Sequence, residues 1–182
     1  MDIEPVRANL IHPDHCTPEQ ASFLRDRGGD NPSNLFRMFA NNVPLFEALG
    51  PLSSYVFTKS TLQPRHREII ILRCAWVAKA EYQWALHRPL ARRAGLTDTE
   101  IDRIKLAPDA TGWSGCESAL IAAVDEIRRN CMIGEATWQS LARELSTEQM
   151  FDVIFIAGQT LMIAAAINSL PMSMDAGLIG FG

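Results

Sequence analysis

The sequence has no pair of cysteines at the C-x-x-C spacing, and its 4 cysteines, Cys16, Cys74, Cys116 and Cys131, lie far apart along the chain. Without closely spaced cysteines, neither a redox dithiol nor a zinc site is indicated. Cys74 and Cys131 fall inside apolar helical patterns and are predicted to fill the core. Cys116 falls in the first turn of a predicted helix, where the helix dipole can lower the pKa of a thiol, although a passive thiol is the favoured interpretation.

An excess of positive charge is also missing. The chain carries 17 Lys and Arg against 21 Asp and Glu, which gives a net charge of −4 over 182 residues. Because contacts to phosphates need a basic surface, we expect no nucleic-acid partner. The first five residues, Met-Asp-Ile-Glu-Pro, contain acidic residues and a proline where a secretory signal needs a basic start and an apolar run. We therefore expect a cytoplasmic protein.

No long apolar stretch runs without interruption. The most apolar part of the chain, residues 151–170, contains Asp152, Gln159 and Asn168 together with Gly158, which weakens a helix. A membrane span needs about 20 predominantly apolar residues. This stretch therefore predicts a buried core helix, and we expect no membrane partner.

The helix signals are numerous, and no alternating strand pattern competes with them. Four capping boxes of the form Ser/Thr-x-x-Glu/Gln precede apolar-periodic stretches, at Thr17…Gln20, Thr97…Glu100, Ser114…Glu117 and Ser146…Gln149. In such a box the hydroxyl accepts a hydrogen bond from the N3 amide while the Glu or Gln side chain bonds back to the N-cap amide. An all-α fold is predicted, with helices near residues 18–27, 34–41, 44–59, 64–79, 81–94, 98–105, 117–130, 135–144 and 147–170.

Two prolines, the C-terminal tail and a pair of histidines also give local predictions. Pro51 is predicted to weaken the helix that contains it, and Pro89 to kink its own. The tail after Pro171 is rich in glycine and is predicted to be less ordered. His12 and His15 have a two-histidine spacing, but Pro13 excludes a regular helix there and no third ligand is near, so we expect no metal.

The charged residue Glu68 lies on a mostly apolar helical face. It shares that face with Leu72 and Trp76 by helical spacing, and a carboxylate there costs free energy unless it is paired or protonated. The next predicted helix follows after a tight connection and should run antiparallel, so its His87 could approach Glu68. A carboxylate–imidazole pair can transfer protons. On spacing alone, however, a structural ion pair is the favoured interpretation.

The sequence around this pair is similar to a known superfamily. The motifs Arg67-Glu68-x-x-Ile71-Leu72-Arg73, Glu81-Tyr82-x-Trp84-x-x-His87 and Ala91-x-x-Ala94-Gly95-Leu96 resemble those of the carboxymuconolactone decarboxylase and alkylhydroperoxidase D (AhpD) superfamily. The resemblance is specific over residues 62–104 and looser over residues 120–170. It implies a single AhpD-like helical domain over residues 1–182, with a core motif at 62–104, N-terminal helices at 17–59 and C-terminal helices at 114–170. It also implies a homotrimer or a hexamer.

The peroxidase branch of that superfamily uses a proton-relay glutamate, a C-x-x-C pair and a histidine four residues after the second cysteine. By resemblance, the glutamate is Glu68 and the histidine is His87. The two cysteine positions are occupied by Ala80 and Gln83, and the residue before the second cysteine is Tyr82. Since alanine and glutamine supply no thiolate, the resemblance implies the fold and the pocket without the thiol peroxidase reaction.

Three functions remain open. The first is a cofactor-free decarboxylase or lyase that acts on a small organic acid, lactone or cyclic ketone. There His87 is the general acid or base, Glu68 orients it, and Tyr82 or Gln83 hydrogen-bonds a developing enolate or carboxylate. The candidate residues are Glu68, His87 and Tyr82 for catalysis, and Gln83, Trp84 and Cys74 for substrate binding. The alternatives are a degenerate peroxidase-like antioxidant protein, with or without a single active cysteine, and a non-enzymatic helical oligomer that binds a ligand.

Overall fold

A computed structural model describes residues 9–170 and 173–181. The described residues are mostly helical, and within them the only bridge of β type joins His12 to His15. A 3₁₀ turn at Ala40–Asn42 separates the second helix from the third. The α-helices are α1 (Pro18–Gly28), α2 (Asn34–Phe39), α3 (Val43–Thr58), α4 (Pro64–Val77), α5 (Glu81–Arg93), α6 (Asp98–Arg103), α7 (Gly115–Asn130), α8 (Glu135–Ala142) and α9 (Thr147–Ser169). The predicted all-α fold is confirmed.

The four capping boxes are all present with both of their hydrogen bonds. They begin α1, α6, α7 and α9 at the N-cap residues Thr17, Thr97, Ser114 and Ser146. Each box satisfies two backbone donors that a helix start otherwise leaves unpaired. Helix α7 begins at Gly115, two residues before the prediction, because Glu117 is the N3 residue of its box and not the first residue of the helix.

The two internal prolines do not end their helices. Pro51 lies inside α3 and Pro89 inside α5, and both are exposed. A proline removes the hydrogen bond to the carbonyl four residues earlier, here that of Glu47 or Ala85. On a solvent-facing side, water can bond such a carbonyl, so the cost is small enough for the helix to continue.

Helix α4 lies at the centre of the core. It packs against α5, α7 and α9, and Ile69, Ile70 and Leu72 have no exposed surface. Neighbouring residues that point to different sides are all buried, as expected for a helix that is surrounded by protein. Residues on α4 are therefore held in place from several directions, and Glu68 is one of them.

Helix α9 is long and apolar enough to cross a membrane by length and composition alone. The same is true of many core helices, and half of its most apolar window is buried inside the protein. Its one inward-facing acid, Asp152, accepts hydrogen bonds from the hydroxyls of Tyr55 (2.8 Å), Ser60 (2.9 Å) and Thr61 (3.0 Å) and from the Thr61 amide (2.8 Å). These contacts fit the predicted core helix.

The C-terminal segment 173–181 packs on the helices, so the prediction of a less ordered tail was wrong for these residues. The carboxylate of Asp175 accepts hydrogen bonds from the Asn34 amide at 3.0 Å and from the Tyr82 hydroxyl. The carbonyl of Phe181 accepts one from Lys105 Nζ at 2.7 Å. The segment is held by side chains far away in the sequence, which its glycine-rich composition does not reveal.

Candidate active site

The connection between α4 and α5 sets the position of the site. Lys79 adopts the left-handed conformation, with φ of 59°, and the Ala80 amide bonds to the Ala75 carbonyl at 2.8 Å. This tight reversal turns α5 back along α4. Because α5 returns along α4, His87 in its second turn comes level with Glu68.

Glu68 and His87 are in direct contact. Oε2 of Glu68 lies 2.9 Å from Nδ1 of His87, and Oε1 accepts a longer bond of 3.3 Å from Nε of Arg67. The Glu68 side chain is 1% exposed and that of His87 is 13% exposed. An ionised carboxylate can only accept, so with Glu68 in that form Nδ1 of His87 is the donor of this bond. The other ring nitrogen, Nε2, bonds to none of the described residues.

An aromatic ring from α3 covers the pair. The ring of Phe57 lies against that of His87, with centroids 6.1 Å apart and planes 24° from parallel. The guanidinium of Arg67 lies 5.2 Å from the centre of the same Phe57 ring. The imidazole is therefore fixed by a hydrogen bond on one side and by ring contact on another, which limits its rotation.

A cavity of about 170 Å³ opens beside the pair. Its walls are mostly apolar, and they carry two guanidinium groups and one carboxylate: Phe57, Pro64, Arg67, Glu68, Leu90, Arg93 and Ala94. His87 is outside this lining but contacts two members of it, Glu68 and Phe57. Arg93 is exposed and forms no ion pair with any described residue. Since both oxygens of Glu68 are engaged, the charge that the cavity offers to a ligand is positive.

Gln83 lies one helical turn before His87 on α5, so the two side chains share a face. It is 5% exposed, and its Oε1 has no hydrogen-bond partner among the described residues. A buried acceptor without a partner costs about 1–3 kcal/mol, so we expect water or a ligand donor to fill this position. The predicted substrate-binding role of Gln83 stays a prediction.

The structure does not bring Tyr82 to the cavity. Its hydroxyl accepts a hydrogen bond from the Leu35 amide at 3.1 Å and donates one to Asp175. Burial, followed by the bond to Asp175, raises the pKa of the Tyr82 phenol above its usual range. The hydroxyl is thus occupied in joining α5 to α2 and to the C-terminal segment, and it is not free to bind an enolate.

Trp84 and Cys74 also lie away from the cavity. Trp84 is 1% exposed and contacts the rings of Trp76 and Phe181, with centroid distances of 6.2 and 5.6 Å. Cys74 has no exposed surface, and its Sγ lies 3.8 Å from the Ala157 carbonyl. Both side chains serve packing in this structure.

The two buried cysteines, Cys74 and Cys116, offer little nucleophilic chemistry. Burial raises the pKa of the Cys74 thiol well above its usual range. Burial, with the charges of Glu144 and Glu117, raises the pKa of Cys116 to about 11, so desolvation outweighs the helix dipole there. Cys131 is exposed in the left-handed cap of α7, and the prediction that it fills the core was wrong.

Neither a thiol nor a metal site accompanies the pair in the part of the chain that the structure describes. The residues that line the cavity include no cysteine. Over residues 9–170 and 173–181, no three His, Cys, Asp or Glu side chains are grouped as a metal ion would need. The groups that are present, an imidazole, a carboxylate and two arginines, suit acid–base chemistry and anion binding.

Two residues of the site were missed by sequence reasoning. Phe57 belongs to α3, and no local pattern links it to a histidine on α5. Arg93 lies in an arginine-rich stretch that reads as a solvated helix face, and only the three-dimensional structure shows that it borders the cavity.

Comparison with known proteins agrees with this architecture. Residues 44–126 match the model of the carboxymuconolactone decarboxylase family. No curated protein is found to match. The fold is similar to that of an uncharacterised peroxidase-related protein from Silicibacter sp. TM1040, with 16% identity over 96% of this chain and 94% of that one and a TM-score of 0.78.

Two further solved structures share the fold. One is described as the alkylhydroperoxidase AhpD core of an uncharacterised peroxidase-related protein from Ralstonia eutropha JMP134, with 15% identity over 95% of this chain and 94% of that one and a TM-score of 0.77. The other is a cysteine-to-alanine variant of the debrominase Bmp8 in complex with 2,3,4-tribromopyrrole, with 16% identity over 96% of this chain and 94% of that one and a TM-score of 0.74.

The helical architecture and these matches define an AhpD-like helical protein. The family match over residues 44–126 and the shared fold support a place for the chain in the carboxymuconolactone decarboxylase/AhpD superfamily.

Proposed function

We propose that this protein is a cofactor-free enzyme of decarboxylase or lyase type, which acts on a small organic acid or lactone by proton transfer at His87. The observation that carries the proposal is the 2.9 Å contact of Glu68 with His87 beside a cavity of about 170 Å³. A histidine whose Nδ1 is held by a buried carboxylate is a usual form of general acid or base.

The geometry gives Glu68 and His87 different roles. Both oxygens of Glu68 are already engaged, by His87 and by Arg67, so Glu68 is a positioning residue. His87 has the free nitrogen and is the proposed general acid. Because it lies outside the cavity lining, one water molecule carries its proton to the substrate. When the ring gains a second proton, the adjacent carboxylate stabilises the imidazolium, as in other carboxylate–histidine pairs.

A decarboxylation at this site would proceed in balanced steps. The carbon–carbon bond to the carboxylate breaks, CO₂ leaves, and the electron pair moves into an electron sink within the substrate. The Nε2 proton of the His87 imidazolium then passes to the resulting carbanion or enolate, and solvent restores the proton on the ring. The substrate supplies the electron sink, so no cofactor takes part.

A peroxidase-like antioxidant function is the second candidate, and it rests on the fold shared with peroxidase-related proteins. It has less support, because Ala80 and Gln83 occupy the cysteine positions and Cys74 and Cys116 are buried. A dehalogenation that uses a cysteine at these positions, as a route shared with Bmp8, lacks support for the same reason. A non-enzymatic ligand-binding oligomer remains the third candidate, and it requires that the Glu68–His87 pair be purely structural.

The acid–base proposal can be tested with a panel of small carboxylic acids and lactones, assayed for CO₂ release and product formation. For any compound that is turned over, we expect His87→Gln to lower the rate by about 10²–10⁴-fold, the usual contribution of general acid–base catalysis. Undiminished turnover by the folded variant would exclude His87 as the catalytic residue.

We propose, in addition, that the protein is a cytoplasmic homo-oligomer, a trimer or a hexamer. An apolar stripe on the outer side of α9 supports assembly: Phe151, Phe155 and Met162 are 56%, 55% and 46% exposed. The rings of Phe151 and Phe155 lie nearly parallel, with centroids 6.4 Å apart. Exposed apolar patches of this kind are typical of interfaces between subunits.

Light scattering at micromolar concentration tests this assembly. The wild-type protein should have the mass of a trimer or a larger oligomer. Phe155→Glu should reduce that mass, since it places a charge in the proposed interface. The matched control is Leu106→Glu, which changes a residue of similar exposure (56%) outside α9 and should leave the mass unchanged. A monomeric wild-type protein would contradict the proposal.

A further inference from the structure

The wall of the cavity beside Glu68 combines apolar side chains with arginine. One part of its wall is apolar, formed by Phe57, Leu90 and Ala94. Arg93 borders the same space, and its side chain forms no ion pair with the described residues. A ligand that fits must therefore have an apolar body and a negatively charged end.

The volume favours a small ligand body. Sites for drug-sized ligands measure about 300–1,000 Å³, and this cavity measures about 170 Å³. A six-membered ring with one carboxylate matches this size better than a bicyclic or long-chain acid.

Arg93 determines which kind of anion the cavity favours. Arg93 can form two parallel hydrogen bonds to a carboxylate, the geometry that a guanidinium matches best. The second cation, Arg67, is already used, since it bonds to Glu68 and to the Val56 carbonyl and lies over Phe57. One free guanidinium points to a monocarboxylate.

The aromatic wall selects among ring types. Phe57 is 45% exposed, and it is both an element of the cavity lining and the neighbour of the His87 ring. Contacts between aromatic rings are more favourable than apolar burial alone, so a flat aromatic ring is preferred over a puckered aliphatic one of the same size.

From these groups we infer that the ligand of this site is a single-ring aromatic monocarboxylate, with its carboxylate on Arg93 and its ring against Phe57. The inference rests on the proposed function and names its substrate class. An activated aromatic ring is itself the electron sink. A proton from His87 Nε2, carried by one water molecule because His87 lies outside the lining, adds to the ring carbon that bears the carboxylate. The bond to the carboxylate breaks, CO₂ leaves, and the electron pair restores the aromatic ring.

Binding measurements with benzoate as the probe test the inference independently of turnover. By calorimetry, benzoate should bind at least about tenfold more tightly than cyclohexanecarboxylate, which lacks the flat ring, and than benzamide, which lacks the charge. Arg93→Gln should weaken benzoate binding at least about tenfold and remove the preference for benzoate over benzamide. Arg92→Gln is the matched control: Arg92 is exposed, pairs with Asp98 and is outside the lining, so benzoate should bind to it as to wild type.

The variant His87→Gln separates the two proposals, because it should bind benzoate with wild-type affinity while turning over no substrate. If benzoate binds as described and no activated aromatic acid loses CO₂, the ligand class stands and the proposed reaction fails. Equal affinity for benzoate and benzamide, no preference over cyclohexanecarboxylate, or unchanged binding by Arg93→Gln would each overturn the inference.

Discussion

An Arg73→Met variant should lose about 3–5 kcal/mol of unfolding free energy, the usual effect of removing one partner from a buried ion pair. Arg73 forms a double hydrogen bond with Asp125, at 2.7 and 2.6 Å, and its Nη1 also donates to the carbonyls of Ile104 and Leu106, each at 2.6 Å. The two side chains are only 8% and 16% exposed. Methionine fills most of the space but leaves a carboxylate and two carbonyls without their donor.

The size of this effect depends on burial, and a second arginine in the chain provides the comparison. Arg92 pairs with Asp98 at 2.7 Å, but the two side chains are 46% and 59% exposed. Arg92→Met should cost less than about 1 kcal/mol, since water replaces the lost contacts. Chemical denaturation of both variants measures the difference. Equal losses would contradict the argument, whereas Arg73→Met combined with Asp125→Leu should recover part of the lost stability.

The helices could be predicted because their determinants are local. A capping box lies within four residues of the chain, and so the starts of α1, α6 and α9 were predicted at the residue observed. The C-terminal segment could not be predicted in this way. Asp175 and Phe181 are held by Asn34, Tyr82 and Lys105, and no local pattern shows that these side chains meet.

The same difference between local and tertiary determinants applies to the candidate site. Glu68 and His87 lie on helices joined by a tight connection, so spacing and resemblance together could bring them into one site. The neighbours that define the cavity depend on tertiary packing: Phe57 comes from α3, and Arg93 lies six residues beyond His87 on α5. Tyr82 illustrates the opposite case, because it is adjacent to the predicted site in sequence while its hydroxyl faces Leu35 and Asp175.

The Glu68–His87 pair can stabilise the fold, take part in chemistry, or both. Two variants of Glu68 separate an effect on stability from an effect on turnover. Glu68→Leu should cost about 3 kcal/mol or more, because it leaves Arg67 and His87 without their shared partner where the carboxylate is 1% exposed. Glu68→Gln keeps the shape, with its oxygen accepting from Arg67 and its amide donating to Nδ1 of His87. The stability loss should be only about 1 kcal/mol.

The same Glu68→Gln variant should nevertheless lose about 10²-fold or more in turnover. An amide that donates to Nδ1 keeps the ring neutral, and it no longer stabilises the imidazolium from which Nε2 gives its proton. Glu126→Gln is the control: Glu126 bonds to the Gly134 amide and to Thr137 outside the cavity lining, so turnover should be unchanged. Thermal melts and rates measured on the same samples decide the matter. A Glu68→Gln protein with full activity would assign the pair to the fold alone, because proton donation by His87 requires the imidazolium that the Glu68 carboxylate stabilises.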